Sequence, residues 1–259
     1  MAIVRGWDGS SYDRLSAPME ALGREVLARL DLRGDETVLD AGCGSGRVTE
    51  ALVERLPRGR VIGVDGSPSM IEAARERLGD AVDLRVADLV GLDLGQRVDA
   101  ILSTATFHWI SDHDALFRSL RANLRDGGRL AAQCGGKGNI ASVHAAAAAA
   151  AQDERFAEHM RGWRGPWHFA GPEETEARLR AAGFAEARCW LEERPVIPPD
   201  PAEYLRTINL GAHLERLPQD LHAAFVDAVL ELLGEPVTLD YVRLDIDAEA
   251  GAGRYMRSS

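Results

Sequence analysis

Short, largely apolar runs alternate with segments of helical periodicity through the first half of the sequence. The apolar runs lie near residues 38–39, 61–64, 84–87, 98–102 and 129–132. Between them, apolar residues return every three or four positions, which is the spacing of an amphipathic helix. Strand followed by helix, repeated in this way, predicts a parallel sheet with right-handed crossovers. The pattern therefore predicts a doubly wound α/β core.

The pattern changes after the fifth predicted strand. Residues 138–170 include seven consecutive alanines, from Ala145 to Ala151, and alanine is the best helix former. Residues 198–234 open with prolines and continue as two helical segments. Residues 185–191 alternate like a half-buried strand, and a last alternating stretch, which shifts phase after Tyr241, predicts an edge strand with a bulge. We interpret the two helical segments as lid insertions over a pocket, with ordinary packing of added helices as the alternative.

In the N-terminal segment, residues 1–33, apolar residues at helical spacing predict a helix that precedes the sheet. Trp7, Tyr12 and Arg14 lie on the approach to this helix. They either pack in the ordinary way or form a flap that closes over bound ligands. Since no internal repeat is visible, we predict a single domain over residues 1–259, with this flap and the two insertions.

Composition narrows the classes of partner. The chain has 259 residues, 46% of them hydrophobic, and a net charge of −11, which argues against a large basic surface for nucleic acid or anionic lipid. Its three cysteines are widely separated and include no Cys-x-x-Cys pair, so neither a disulfide framework nor a zinc site is expected. The sequence shows no signal peptide and no membrane-spanning run. We therefore expect a soluble, cytoplasmic protein without a metal.

The most informative stretch is the turn after the first predicted strand, T-V-L-D-A-G-C-G-S-G over residues 37–46. Glycines at alternate positions let the main chain approach a bound molecule closely. The helix that follows offers unpaired N–H groups at its N-terminus, where an anionic group is stabilised. A dinucleotide motif G-x-G-x-x-G would need a glycine at position 47, where this chain has Arg47. A nicotinamide-linked oxidoreductase is therefore disfavoured.

The segment D-A-G-C-G-S-G resembles the first motif of the class I S-adenosyl-L-methionine (SAM) dependent methyltransferases. This resemblance implies a Rossmann-like, seven-stranded, mostly parallel sheet with an antiparallel edge strand, and SAM as cofactor with S-adenosyl-L-homocysteine as product. It also implies that an acid after the third strand, Asp88, takes the adenine amino group. Asp65 ends the second strand, where an acid meets a ribose in such folds, and its alternative is an ordinary turn acid. The predicted cofactor-binding residues are Tyr12, Asp40, Ala41, Gly42, Cys43, Gly44, Gly46, Asp65, Gly66, Ser67, Met70, Ala87, Asp88, Leu89, Ser103, Phe107 and His108.

The loop after the fourth strand should lie opposite the glycine turn, because ligands bind at the carboxyl ends of strands at the switch point of such a sheet. This loop carries His108 and Trp109, which we predict to be the catalytic residues. A carboxylate acceptor is already ionised and needs only an orienting residue. A phenol, amine or acidic carbon would need a base, and His108 has a suitable ordinary pKa. The alternative is a structural histidine beside a packing tryptophan.

The sequence also bears on the acceptor. Methyltransferases that act on adenine or glutamine amides resemble one another in an Asn/Asp-Pro-Pro-aromatic run, and residues 103–106 read S-T-A-T instead. The run F-H-W-I at residues 107–110, with Asp112-His113 and Trp7-Asp8, is similar to the trans-aconitate methyltransferase group. The resemblance implies methyl transfer to a small-molecule acceptor, at an oxygen of an organic acid or natural product, by a monomer or homodimer. The alternatives are a SAM-binding protein that transfers no methyl group and a C- or N-methyltransferase with His108 as base.

Overall fold

A computed structural model describes residues 17–252 of the chain, and it describes side chains from residue 21 onward. The predicted flap residues Trp7, Tyr12 and Arg14 lie outside the described residues. The same is true of Tyr12 as a predicted cofactor contact, which stays a prediction.

Within residues 17–252, seven strands form a single sheet in the order β3-β2-β1-β4-β5-β7-β6. The first five strands run parallel to one another, and β7 is antiparallel to both of its neighbours. The strands are β1 (Thr37–Ala41), β2 (Arg60–Asp65), β3 (Asp83–Val86), β4 (Val98–Thr104), β5 (Leu124–Gly135), β6 (Phe184–Glu193) and β7 (Val242–Ala250). The strand order reverses between β1 and β4, so the carboxyl ends of these two strands flank the crevice where ligands bind in such sheets.

Helices cover both faces of the sheet and extend beyond its carboxyl edge. The helices are α1 (Ala17–Ala28), α2 (Arg47–Arg55), α3 (Pro68–Leu78), α4 (His113–Asn123), α5 (Ala141–Ala150), α6 (Glu154–Met160), α7 (Pro172–Ala181), α8 (Pro201–Tyr204), α9 (Gly211–Leu214) and α10 (His222–Leu233). A π-helical turn over Leu205–Asn209 follows α8, and a short 3₁₀ turn over Phe107–Trp109 follows β4. The predicted doubly wound, mostly parallel α/β fold is confirmed.

The antiparallel strand lies one position further inside the sheet than the sequence suggested. β7 pairs with β5 on one side and with β6 on the other, and β6 forms the edge. The alternation with a phase shift after Tyr241 favoured an edge position, but Arg243 and Asp245 are buried, at 4% and 1% exposure. Hydrogen bonds compensate for this burial, since Arg29, directly after α1, and Gln133 of β5 both donate to the carboxylate of Asp245. The polar pattern of β7 thus reflects an internal network.

The hydrophobic core has three parts. Alternate residues of β1 point to opposite faces of the sheet, so Leu39 belongs to one cluster and Val38 to another. A third cluster lies within the two predicted insertions and joins α5 and α6 to α8, α9 and α10. Phe156 and Phe225 meet edge to face in it, with ring centroids 5.1 Å apart. The two insertions therefore fold against each other as one helical layer.

Across the described part of the chain, no helix is both long enough and apolar enough to cross a bilayer. The cytoplasmic location and the monomeric or homodimeric state stay predictions.

Candidate active site

A cavity of about 370 Å³ lies at the carboxyl ends of the parallel strands. Its lining runs from the glycine turn after β1 to the first residues of β7. Four strand spacings, about 19 Å, separate β2 from β7 along the sheet. The cavity therefore has two ends, one beside β2 and β3, which we call the cofactor end, and one beside β5 and β7, which we call the acceptor end.

The glycine turn requires glycine for its backbone shape. Gly42, Gly44 and Gly46 all have positive φ angles, of 85°, 54° and 86°, which side chains other than glycine rarely adopt. A Cβ atom on Gly42 would lie 2.1 Å from Oγ1 of Thr106, so the main chain of the turn after β1 packs closely against the Thr106 side chain of the turn after β4. A Cβ atom on Gly44 would meet nothing within 4 Å, and Gly44 lines the cavity. Its main chain is therefore open to a ligand.

Asp65 joins the glycine turn to the turn after β2. Its Oδ2 accepts a hydrogen bond from the Gly44 N–H at 3.0 Å, and its Oδ1 accepts one from the Ser67 N–H at 2.8 Å. Burial raises the pKa of this carboxyl group, while the two backbone donors lower it. Asp65 faces the cavity together with the residues that follow β3. The structure thus brings together at the cofactor end the predicted residues Gly42, Cys43, Gly44, Asp65, Gly66, Ser67, Met70, Ala87, Asp88 and Leu89.

Asp40 does not line this cavity, although the sequence grouped it with the ligand contacts. Its side chain points into the protein and is 1% exposed. The hydroxyl of Thr49 donates to Oδ2 at 2.7 Å, while Oδ1 has no partner. Burial raises the pKa of this carboxyl group to about 7. Asp40 therefore connects the glycine turn to α2 through a hydrogen bond in the protein interior.

Four further predicted contacts also lie outside the cavity lining, because they face neighbouring elements of the protein. They are Ala41, Gly46, Ser103 and Phe107. Ser103 turns back, and its Oγ donates to the Ala41 carbonyl at 2.6 Å, so the two residues link β4 to β1. Gly46 lies against α3, since a Cβ atom there would be 2.7 Å from Leu78. The ring of Phe107 is buried, with the Phe117 ring 5.9 Å away. These residues shape the turns and leave ligand contact to their neighbours.

His108 lines the cavity between its two ends and is 8% exposed. The Gly135 N–H donates to Nδ1 at 3.2 Å, so in the neutral ring the proton is on Nε2. Burial, together with the positive charge of the neighbouring Arg243 and the nearby His113, lowers the pKa of His108 to about 3. At neutral pH this imidazole is a hydrogen-bond donor through Nε2. The second predicted catalytic residue, Trp109, also lines the cavity.

The sequence did not identify the polar residues of the acceptor end. Arg243 lines the cavity, and its Nε donates to Oε1 of Gln133 at 3.4 Å. No carboxylate of the described residues lies within ion-pair distance of its guanidinium. Asn209, at the end of the π-helical turn, donates to the Tyr241 hydroxyl at 2.9 Å, and its Oδ1 is buried without a partner. In the sequence, the only signal for Arg243 was its position between the apolar residues Val242 and Leu244 of the last predicted strand.

Aromatic side chains cover the acceptor end. Trp167 and Phe169, from the segment before α7, line the cavity beside Trp109. The Trp109 and Trp167 ring centroids are 6.1 Å apart, and the Phe169 ring stacks on His108 at 5.9 Å. All three aromatic residues are half-buried. The aromatic segment that the sequence assigned to a lid thus contributes directly to the wall of the site.

Comparisons with known proteins agree with this geometry. A family model described as a methyltransferase domain matches residues 38–128. The chain is 32% identical over 235 residues to the trans-aconitate 2-methyltransferase of Azoarcus sp. (strain BH72), which covers 86% of this chain and 87% of that protein. The chain belongs to the class I SAM-dependent methyltransferases.

Two further comparisons agree with this family and with the observed fold. The methyltransferase is 29% identical to the trans-aconitate 2-methyltransferase of Acidovorax sp. (strain JS42), over 91% and 92% of the two chains. Its fold is similar to that of Haemonchus contortus phosphoethanolamine N-methyltransferase 2 in complex with SAM, with a TM-score of 0.60 and 19% identity. That alignment covers 95% of this chain and 57% of the other. This likeness shows the fold, and SAM is the cofactor of the family to which the chain belongs.

The cofactor end suits SAM on structural grounds. It offers a main chain open at Gly44 and a carboxylate, Asp65, that hydroxyl groups can reach from the cavity. Beyond Asp65, the wall is apolar at Ala87 and Leu89, with the acid Asp88 between them. Hydroxyl, amino and flat aromatic groups therefore each find a partner of suitable chemistry.

Proposed function

We propose that this methyltransferase transfers the methyl group of SAM to a carboxylate oxygen of a small organic acid. The observation that carries the proposal is Arg243. This cation is 4% exposed, lines the acceptor end and has no carboxylate partner among residues 21–252. A buried charge without a partner is costly, and an arginine fork matches a carboxylate bidentately. An anionic acceptor would supply the missing partner.

In this proposal the cofactor end holds the donor. Asp65 would accept hydrogen bonds from the ribose hydroxyls, and Asp88 would accept one from the adenine amino group. The ring would lie against Ala87 and Leu89, while Gly42 and Gly44 would back the methionine portion. All of these residues line the cavity. When bound, SAM supplies an electrophilic methyl group on a positively charged sulfur.

The chemistry requires little of the protein beyond alignment. A carboxylate oxygen forms the new bond to the methyl carbon as the carbon–sulfur bond breaks, and the electron pair stays on sulfur. The products are a methyl ester and S-adenosyl-L-homocysteine, and no proton has to be removed. Holding the two reactants in line and excluding water therefore supply the catalysis. The helical layer of the two insertions would act as the lid that excludes water.

His108 fits this chemistry as a positioning donor. With Nδ1 engaged by the Gly135 N–H and the pKa lowered to about 3, the ring holds its Nε2 proton and binds a second one poorly at pH 7. A base would be needed for an amine, phenol or carbon acceptor. A donor suits an oxygen that is already negative. The state of His108 thus favours an ionised acceptor.

The relatives support the same class of acceptor. Two proteins that this chain resembles over most of its length are named for methylation of trans-aconitate, which is a carboxylic acid.

The decisive experiment uses SAM labelled in its methyl group and a panel of small organic acids. Methyl esters release methanol in mild alkali, whereas N-methyl, C-methyl and ether products do not. We expect alkali-labile label in the product. Arg243→Gln should lower kcat/KM for the acid by about 100-fold, as expected for loss of a charged hydrogen-bonded pair. The exposed Arg188 of β6 gives the matched control, and Arg188→Gln should leave kcat/KM unchanged.

A second variant separates the two roles of His108. Glutamine can place an amide N–H near the position of Nε2 but cannot serve as a base. His108→Gln should therefore keep turnover within about tenfold of the original. A loss of about 100-fold or more is the effect of removing a general base, and together with alkali-stable product it would overturn the carboxylate proposal.

A further inference from the structure

We infer that the acceptor is a monocarboxylic acid with a flat, apolar body, and not a polycarboxylate. This inference rests on the proposed function, because it takes the carboxylate acceptor as given and asks how many charges that acceptor carries. Two observations support it, the charge count of the acceptor end and the shape of its walls.

Among the residues that the structure describes, the acceptor end offers one positive charge. Among the described residues that line the cavity, the strongly ionised side chains are Arg47, Asp65, Asp88 and Arg243. The first three follow β1, β2 and β3 and belong to the cofactor end. His108 stays neutral, since burial lowers its pKa to about 3. One cation remains for the acceptor, which is enough for one carboxylate.

The other polar groups at this end are neutral amides and a phenol. Asn139 accepts a hydrogen bond from the Val242 N–H at 3.1 Å, and Asn209 donates to the Tyr241 hydroxyl at 2.9 Å. Burial raises the pKa of Tyr241, so its hydroxyl stays protonated. None of these groups can neutralise a second carboxylate. A second negative charge in this space would be desolvated without a counter-ion, which is strongly unfavourable.

The walls of the acceptor end are flat and apolar. Trp109, Trp167 and Phe169 present ring surface to the cavity, and Ile140 and Ile208 complete the apolar lining. The Trp109 and Trp167 rings are inclined at 47° to each other, so they form two sides of a wedge. Aromatic faces pack best against flat groups, in offset-stacked or edge-to-face arrangements. An arene or a conjugated alkene attached to the carboxylate fits this wedge.

These features set the chain apart from the substrate for which its relatives are named. trans-Aconitate carries three carboxylates on a short chain, and the described residues of the acceptor end supply one cation for them. The inference therefore predicts that this chain and its relatives differ in acceptor.

The test compares acids that differ by one carboxylate on the same body. Cinnamate and 4-carboxycinnamate form such a pair, and trans-aconitate is the third acceptor. We expect kcat/KM for cinnamate to exceed those for the other two by at least about 100-fold, the order expected for one unpaired buried charge. A binding readout accompanies it, since with S-adenosyl-L-homocysteine present, cinnamate should raise the melting temperature and 4-carboxycinnamate should not. Equal or better use of trans-aconitate or 4-carboxycinnamate would overturn the inference and leave the proposed carboxyl transfer intact.

A wall variant tests the second observation separately. Trp167→Leu should raise the KM for cinnamate about tenfold, the scale of one lost aromatic contact, and Trp167→Phe should restore most of it. The affinity for S-adenosyl-L-homocysteine should not change in either variant. If both variants behave like the original protein, the aromatic wedge does not select the acceptor and the inference is wrong. If no acid accepts label or binds, the proposed function itself fails.

Discussion

The two ends of the cavity are built in different ways. The cofactor end consists of short turns at the carboxyl ends of β1, β2 and β3, and it relies on backbone groups and on the half-buried carboxylate of Asp65. The acceptor end is assembled from side chains far apart in the sequence, and the hydrogen bond from Arg243 to Gln133 spans 110 positions. One end depends on backbone shape and the other on side-chain identity. The effects of substitutions at the two ends should therefore appear in different measurements.

The largest effect is expected at the contact between the turns after β1 and β4. In Gly42→Ala, the new methyl group would meet Thr106 at 2.1 Å on a backbone with a φ of 85°. Overpacking and backbone strain together should lower the free energy of unfolding by about 4 kcal/mol. Urea denaturation measures this change. In the control Gly91→Ala, φ is 78° but nothing lies within 4 Å, so about 1 kcal/mol is expected. Equal losses in both variants would show that the turns do not depend on close contact.

The next effect is expected on cofactor affinity. Asp65→Ala removes the acceptor of two backbone hydrogen bonds and the proposed ribose contact. SAM affinity measured by calorimetry should fall at least 100-fold, which is about 2.7 kcal/mol. Asp93 ends its own turn by accepting from the Gly95 N–H and lies outside the cavity. Asp93→Ala should therefore bind SAM normally. Retained affinity in Asp65→Ala would remove this residue from the cofactor site.

Two buried groups, His108 in the cavity wall and Asp40 beneath the glycine turn, should make the stability of the fold respond to pH in opposite directions. The pKa of His108 is lowered to about 3 in the folded protein, below the ordinary value of about 6.5. The unfolded chain then binds the extra proton between these values, so the stability from the neutral ring is present above about pH 6.5 and is lost as pH falls. The pKa of Asp40 is raised to about 7, so its contribution is present below about pH 4 and is lost as pH rises through 7.

Two variants measure these contributions. The slope of unfolding free energy against pH should decrease by about 1 kcal/mol per pH unit in His108→Gln between pH 6 and 4. Asp40→Asn should remove a slope of opposite sign between pH 4 and 7. Urea denaturation at several pH values gives both slopes. Unchanged slopes would mean that neither group keeps its buried protonation state.

The smallest effect is expected from a substitution of Gln133, the residue that holds the side chain of Arg243. Gln133 accepts from Nε of Arg243 and donates to Asp245, so it holds the guanidinium in place without facing the acceptor. Gln133→Met should raise the KM for the acid about fivefold, which is about 1 kcal/mol, and leave kcat and SAM affinity nearly unchanged. A purely structural role would lower stability without this selective change in KM. That result would mean that Gln133 does not position the guanidinium of Arg243.

The sequence predicted most of the cofactor end because its chemistry is local. Gly42, Gly44 and Asp65 each follow a strand by at most a few residues, so strand order alone places them together. Side-chain direction was harder to predict. Phe107 and His108 are adjacent, yet the 3₁₀ turn sends the first ring into the core and the second to the cavity.

The acceptor end could not be predicted because no local pattern connects its parts. Arg243 belongs to the last strand, which the sequence pattern predicted to be an edge strand, and only the pairing of β7 between β5 and β6 buries it. Asn209 lies in the second insertion, which the sequence resolved only as helical. The aromatic residues near position 167 did stand out, because aromatic residues are only 6% of the chain.

The π-helical turn over Leu205–Asn209 has a consequence for how this enzyme can change. Such a turn contains one residue more than an α-helical turn. Deletion of a single codon here would restore the α-helical repeat and rotate the following residues by about 100° about the helix axis. Asn209 would leave the cavity, while the glycine turn and Asp65, on separate elements, would keep their places. One deletion event could thus give a descendant a new acceptor without altering how it holds the methyl donor.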